Sequence, residues 1–427
     1  MTTSDLVGLR IKTVRRQRGL SQAQLAHPEL SDSYVSLIES GKRSPTPAVL
    51  ELLAQKLDCS LSYLVNGVTA EQMEDIELAL GYARLALENG EVSEARTRFA
   101  ELLTDNNLTG LTKLRQDTEF GLALATEAAG DLDEAISILS RLQSEETTPE
   151  RAIELAIALC RVYRDSDRLT EAVEVGERLL SGPSRPAWTD HLVELGATLL
   201  SAYLYRGDML KASQFAAELL NAADVLGTPR SIVAACWNAA LVAQSTGHGE
   251  EALNFAERAL AVQSESGQPR NLARMRTAFG SVLMKARPDQ ARAARDIMLR
   301  AAEELAQSSA STVDLARCQI EVARASIVMG SPAEALDHVE AGQRLLPGNV
   351  RALGAEADLL LSRAHGALGN FTEAEAHAHA VRDRLAPLPD SLRVAGTWYA
   401  AAETMEMLGD ADDAVGAYQR ALACAGL

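Results

Sequence analysis

Two short segments carry residues whose types and spacing suit contact with nucleic acid. They are Gly19-Leu20-Ser21-Gln22-Ala23-Gln24-Leu25-Ala26 and Tyr34-Val35-Ser36-Leu37-Ile38-Glu39-Ser40-Gly41-Lys42. Each reads as a short helix opened by a serine, Ser21 and Ser31, whose hydroxyl can accept from an amide of the first turn. The second is small and polar at its start and closes with Gly41 and the basic pair Lys42-Arg43. A helix of that make-up fits the major groove of DNA, where short polar side chains reach base edges and cations meet phosphates. The chemistry it predicts is recognition.

No catalytic pattern competes with it. HExxH, phosphate-loop and CxxC spacings are absent, so no cofactor, no metal and no enzyme activity are expected. Gly247-His248-Gly249-Glu250-Glu251-Ala252 imitates a dinucleotide fingerprint, but it joins two predicted helices with no strand before it. His377 and His379 sit two apart on a predicted helix and point to different faces, a poor geometry for a metal.

The elements that must hold these segments are legible in residues 1–67. Leu6, Leu9, Ile11 and Val14 recur at helical spacing, with Arg10, Lys12, Arg15, Arg16 and Arg18 on the other faces. Gly19 ends that helix, Ser21 caps the next and Pro28 stops it. Ser31 caps a third helix, from about Asp32 to Ser40, with Val35 and Ile38 inward. Thr46-Pro47 opens a fourth with Leu50, Leu53 and Leu57 on its core face, and Leu61 to Val65 forms a fifth that closes at Asn66-Gly67.

Gly19-Leu20-Ser21-Gln22, Ile38-Glu39-Ser40-Gly41-Lys42 and Leu61-Ser62-Tyr63-Leu64-Val65-Asn66-Gly67 together resemble the Xre-type helix-turn-helix family, the phage-repressor fold, over nearly all of residues 6–67. The turn before the third helix, His27-Pro28-Glu29-Leu30, departs from that family by lacking its glycine. The resemblance implies that Gln22 hydrogen-bonds a phosphate and that Lys42 and Arg43 clamp the DNA backbone. It places Asp32, Ser33, Ser36 and Leu37 against base edges, where a carboxylate could accept from cytosine and a leucine could touch a thymine methyl. Asp32 reads equally as a first-turn acid favoured by the helix dipole. Tyr34 reads as a phosphate contact or as packing. Arg10 and Glu39 are expected, by the same resemblance, to form a partly buried ion pair joining the first helix to the third.

The 427 residues are too many for one ordinary domain. Net charge is −18, yet residues 1–67 hold eight Lys/Arg against six Asp/Glu, so the acidity lies wholly in the remainder. An acidic body repels phosphate and would confine nucleic acid to the N-terminal end; it would also keep a large helical surface soluble. Five scattered cysteines (Cys59, Cys160, Cys236, Cys318, Cys424) read as small core residues of a reducing compartment. With no signal-peptide pattern and no span-length apolar run, a cytoplasmic protein without a membrane partner is expected.

Beyond residue 67 a period appears. A glycine is followed five places on by alanine at Gly90/Ala95, Gly130/Ala135, Gly207/Ala212, Gly247/Ala252, Gly330/Ala335, Gly369/Ala374 and Gly409/Ala414. Asp167/Ala172 and Asp289/Ala294 fill the gaps, with an aspartate that tolerates left-handed backbone. The spacing, 37 to 42 residues, predicts helical hairpins. Glycine ends the first helix, a polar residue (Glu91, Asp131, Asp208, Asn370, Asp410) caps the second, and the alanine lets the two approach.

These hairpins resemble tetratricopeptide repeats of slightly long period. The expectation is an all-α chain: a five-helix helix-turn-helix domain at 1–67, a linker at 68–75, and about eight repeats at 76–427 wound into a superhelix. Its concave wall, lined by first helices, is the expected ligand surface, with Tyr203, Arg206, Trp237, Asn238, Arg274, Arg276, Arg324 and Arg363 as contacts or as ordinary packing.

A head and body of these kinds resemble regulators of Gram-positive bacteria that bind short signalling peptides. The resemblance implies a homodimer on a palindromic double-stranded operator, with a peptide or small molecule in the repeats altering DNA affinity. The alternative is an adaptor whose repeats hold a partner protein while the head tethers it to DNA.

Overall fold

Helix boundaries follow the caps. In the computed structural model, which describes residues 3–104, 108, 111–181, 186–265, 269–308, 310–346 and 350–427, the first five helices are α1 (Thr3–Gln17), α2 (Gln22–Ala26), α3 (Asp32–Glu39), α4 (Pro47–Lys56) and α5 (Leu61–Asn66). Ser21 caps α2 reciprocally: its hydroxyl accepts from the Gln24 amide, and the Gln24 side chain accepts from the Ser21 amide. Ser31, Thr46 and Ser60 cap α3, α4 and α5 in the same extended backbone conformation, and Gly67 ends α5 at φ +85°.

The chain divides into two compact units, Met1–Ala125 and Thr126–Leu427. In the first, α1 to α5 enclose a core of Val7, Ile11, Val14, Leu25, Val35, Ile38, Leu53, Leu57 and Leu64. Gly8 is required where α1 meets α3, since a Cβ there would lie 2.1 Å from the Ile38 carbonyl oxygen. A Gly8→Ala variant is therefore expected to lose about 1–3 kcal/mol by overpacking, read as faster amide exchange in α1 and α3. Unchanged exchange would refute that close approach.

Eighteen more helices follow as nine helix–turn–helix couples among the described residues. They are α6 (Ala70–Glu88) and α7 (Val92–Thr104), α8 (Thr112–Ala128) and α9 (Leu132–Gln143), α10 (Pro149–Asp165) and α11 (Leu169–Leu180), α12 (Asp190–Arg206) and α13 (Met209–Leu226), α14 (Pro229–Ser245) and α15 (Gly249–Glu265), α16 (Pro269–Ala286) and α17 (Ala291–Gln307), α18 (Thr312–Val328) and α19 (Pro332–Leu345), α20 (Arg351–Ala367) and α21 (Phe371–Leu385), and α22 (Leu392–Leu408) and α23 (Ala411–Cys424). There is one couple for each of the nine spaced alanines, against about eight read from the period. The helix of the first couple begins at Ala70, inside the stretch read as a linker.

All nine alanines are buried at 0–3% exposure, and in the eight couples that lie within one unit a larger side chain would push the helices apart. The seven periodic glycines all have positive φ. Asp167 takes the same geometry at φ +57°, but Asp289 does not: a 3-10 turn, Pro288–Gln290, replaces the left-handed residue there.

The expected capping of second helices also needs correction. Asp131, Asp208 and Asn370 make no side-chain cap bond, whereas Asp410 accepts from the Asp413 amide. All four have ψ near 55–77°, against 145–166° at Thr148, Thr189, Thr228 and Ser311, which cap first helices; Asp410 makes its bond at 77°, so this backbone geometry disfavours the cap without forbidding it.

Within the second unit first helices touch in two runs: α10 meets α12 and α12 meets α14, and α16, α18, α20 and α22 follow one another in series. The second run returns to the first. Helix α22 contacts α12, Arg393 Nη2 lies 3.1 Å from Asp167 Oδ2, and the Arg393 guanidinium lies 5.7 Å from the Tyr205 ring centre. Cys160, Cys236, Cys318 and Cys424 are buried free thiols, and Cys59 is half-buried. Among the described residues no helix is long and apolar enough to cross a membrane.

Candidate nucleic-acid interface

Helix α3 has two sharply different sides. Val35, Ile38 and Glu39 are buried, while Asp32, Ser33, Ser36 and Leu37 are all exposed, Leu37 at 38% despite its apolar side chain. Spacings of one, four and five residues place those four on one face. Beyond the helix, Lys42 and Arg43 are exposed. The Arg43 guanidinium lies 4.8 Å from the centre of the Tyr34 ring, which is half-buried, so Tyr34 packs and at the same time steers a cation. Asp32 Oδ1 lies 3.4 Å from His27 Nε2, on the turn that precedes the helix.

The orientation of α3 is fixed from beneath. Arg15 Nε donates to Glu39 Oε1 at 2.6 Å and Nη2 donates to Oε2 at 2.9 Å, a bidentate pair whose side chains are 10% and 3% exposed. Arg15 Nη1 also donates to the Leu20 carbonyl at 2.7 Å, and Gln22 Nε2 donates to Glu39 Oε2 at 2.8 Å. One carboxylate thus ties α1, α2 and α3 together. Burial by itself would raise the Glu39 pKa, but the bonds from Arg15 and Gln22, with the charges of Arg15 and Lys12, outweigh it and hold the group below its ordinary value.

The ion-pair partner expected for Glu39 was Arg10, and this is corrected. Arg10 Nη1 instead donates to the carbonyls of Val65 (2.6 Å) and Leu64 (3.3 Å) at the end of α5. Five residues separate Arg10 from Arg15, about 140° around a helix, so one α1 cation faces α3 and the other faces α5. A list of basic residues on α1 does not say which is which; only the packing angle does. Gln22, expected on a phosphate, is half-buried and held by Glu39, which fixes its position at the start of α2.

The residues singled out on first helices of the repeats fall into two groups. Trp237 and Arg274 line a common cavity of about 500 Å3 in the second unit. Arg363 lines another, of about 810 Å3, but its Nε donates to Thr404 Oγ1 at 2.9 Å. The rest are bonded to other residues of the chain, Arg206 at an exposed position. Tyr203 is buried and its hydroxyl donates to Glu177 at 2.6 Å; Asn238 accepts from Ser201 and donates to the Ala234 carbonyl. Arg206 pairs with Asp208, Arg276 with Glu304 and Arg324 with Glu356. The cavity also holds residues the sequence reading passed over: Gln244 on α14, Asn271 and Lys285 on α16, and Arg317 on α18. Arg274, Ala278, Ser281 and Lys285 repeat every three or four residues, a helical stripe that could have signalled them.

Residues 11–64 match the helix-turn-helix family. The HTH-type transcriptional regulator y4dJ of Sinorhizobium fredii is 39% identical over 67 residues, which cover 16% of this chain and 87% of that protein. The chain belongs to the helix-turn-helix transcriptional regulators, of Xre type. The immunity repressor protein of Bacillus phage phi105 is 39% identical over 72 residues, 17% of this chain and 50% of that protein. Other curated relatives are likewise spanned over less than two thirds of their length, down to 14%. A solved Rap protein, in complex with Competence and Sporulation Factor, superposes with a TM-score of 0.53 at 13% identity, covering 82% of this chain and 97% of that one. Its likeness is one of fold, the tetratricopeptide-like helical array.

Proposed function

We propose that this chain is a sequence-specific DNA-binding transcriptional regulator. Residues 1–67 read DNA, and the repeats beyond them dimerise and sense a peptide or other small ligand. The observation that carries the reading is the exposed face of α3, with Asp32, Ser33, Ser36 and Leu37 outward and Lys42 and Arg43 at its end, all held by the Arg15–Glu39 pair. Short side chains let the helix enter the major groove deeply, and the flanking cations meet the phosphate walls. A homodimer would set two such helices on half-sites one helical turn apart, about 34–36 Å.

The repeat fold supports the sensing role, since the solved Rap protein of that fold is in complex with a factor. A ligand that prefers one arrangement of the repeats would shift DNA affinity by that preference and no more.

The test is fluorescence anisotropy of the full chain on double-stranded fragments recovered by genome-wide selection. Saturable binding that weakens steeply with salt, over a palindromic footprint, is the expected result. No affinity for any fragment at low ionic strength, with or without cell-derived small molecules, sinks the reading; co-purification with a defined protein in place of ligand response would favour an adaptor.

A further inference from the structure

The cavity between α14, α16 and α18 has an unequal supply of donors and acceptors. Both of its acids lie beside arginines, although the buried Oε2 of Glu321 makes no hydrogen bond. Asp314, 13% exposed, takes Arg270 at 3.2 Å and Arg274 at 3.1 Å, and Glu321, 14% exposed, lies 3.5 Å from Arg324 Nε. Three of its other donors are open. Lys285 and Arg317 are exposed cations with no ion-pair partner among the described residues, and the buried Nε2 of Gln244 has no hydrogen-bond partner. An unpaired buried donor is costly and calls for an acceptor. The wall behind them is apolar, formed by Trp237, Leu241, Met275 and Val282. In a chain of net charge −18, this is a cationic, donor-rich pocket.

From this lining we infer that the cavity binds an anion carried on an apolar body, its carboxylate or phosphate drawn by the unpaired cations Lys285 and Arg317 and by the Gln244 amide, with its apolar part against Trp237. Two cations and a neutral NH2 group match a group rich in acceptor oxygens, and the cations Arg270 and Arg274 on Asp314 and Arg324 beside Glu321 offset the charge of the two acids in the lining. A neutral apolar ligand of the same size would leave both cations and the amide unsatisfied. The inference deepens the proposed ligand sensing by naming the ligand's chemistry.

The full chain is titrated calorimetrically with three anions, each against an uncharged counterpart. The pairs are octanoate and octanamide, octyl phosphate and octanol, and the peptide acetyl-Leu-Phe-Val with a free C-terminal carboxylate and its C-terminal amide. At least one anion is expected to bind saturably and at least tenfold more tightly than its counterpart, and the ranking separates lipid-like, phosphate and peptide sources. Lys285→Ala/Arg317→Ala should lose that preference, Lys285→Arg/Arg317→Lys should retain it, and Trp237→Ala should weaken all ligands alike. Circular dichroism and melting of each variant show that the fold persists. The inference is overturned if uncharged partners bind equally well, if the alanine pair binds unchanged, or if none of the three anions binds at millimolar concentration. Anion binding without any change in DNA affinity would leave the pocket standing and defeat the regulatory coupling instead.

Discussion

Replacing Glu39 with alanine is expected to destabilise the head by about 3–5 kcal/mol, because it strands a buried guanidinium. Arg15 would keep its bond to the Leu20 carbonyl but lose both carboxylate oxygens, and Gln22 would lose its acceptor as well. Amide exchange of the full chain, resolved by peptide, reads this directly: α1 to α3 should open far more often while the repeats are unaffected. The double variant Arg15→Met/Glu39→Leu should recover much of the loss, since an apolar pair of similar volume needs no desolvated charge.

The sign of the pH effect follows from the depressed Glu39 pKa. Its stabilisation is present above the ordinary carboxylate value and is lost as pH falls through the lower folded value. Glu39→Ala should lack that acid-sensitive component. A loss below about 1 kcal/mol, the level of an exposed pair, would show that Glu39 does not organise the head.

The second large effect concerns DNA. Lys42→Ala/Arg43→Ala should weaken binding by on the order of tenfold or more across all sequences and lower the salt slope by about 1 for each phosphate contact removed. Asp32→Ala and Ser36→Ala should behave differently, leaving the salt slope alone while relaxing preference at one base pair by about 1–3 kcal/mol. The measurement is anisotropy at several salt concentrations on matched operator variants. If the Lys42/Arg43 variant keeps the wild-type slope, these residues do not touch phosphate. Should Asp32→Ala leave every base preference intact, that acid serves the helix dipole and the His27 contact instead.

Local signals reach as far as local physics does. Serine and threonine caps, the proline at Pro47 and the periodic glycines mark helix ends because each acts through its own backbone or the next turn, and the structure has helices begin and end there. The nine spaced alanines foretell helix pairing because a small side chain at a fixed offset is a packing requirement. Side-chain caps on the second helices followed less closely: after a left-handed residue Asp131, Asp208 and Asn370 make none, while Asp410 does.

What the sequence by itself determined is therefore the kind of protein: an all-α chain with a helix-turn-helix head, an array of hairpins, and a third helix whose outward residues can be named. Tertiary structure alone decided the partners. That Arg15, and not Arg10, meets Glu39 depends on the angle at which α1 crosses α3, which Gly8 permits. That Tyr203 and Asn238 turn inward while Lys285 and Arg317 stand open around a cavity depends on how three separate first helices pack. Such contacts join residues tens of positions apart, and no period or cap along the chain encodes which of several similar side chains will face the gap.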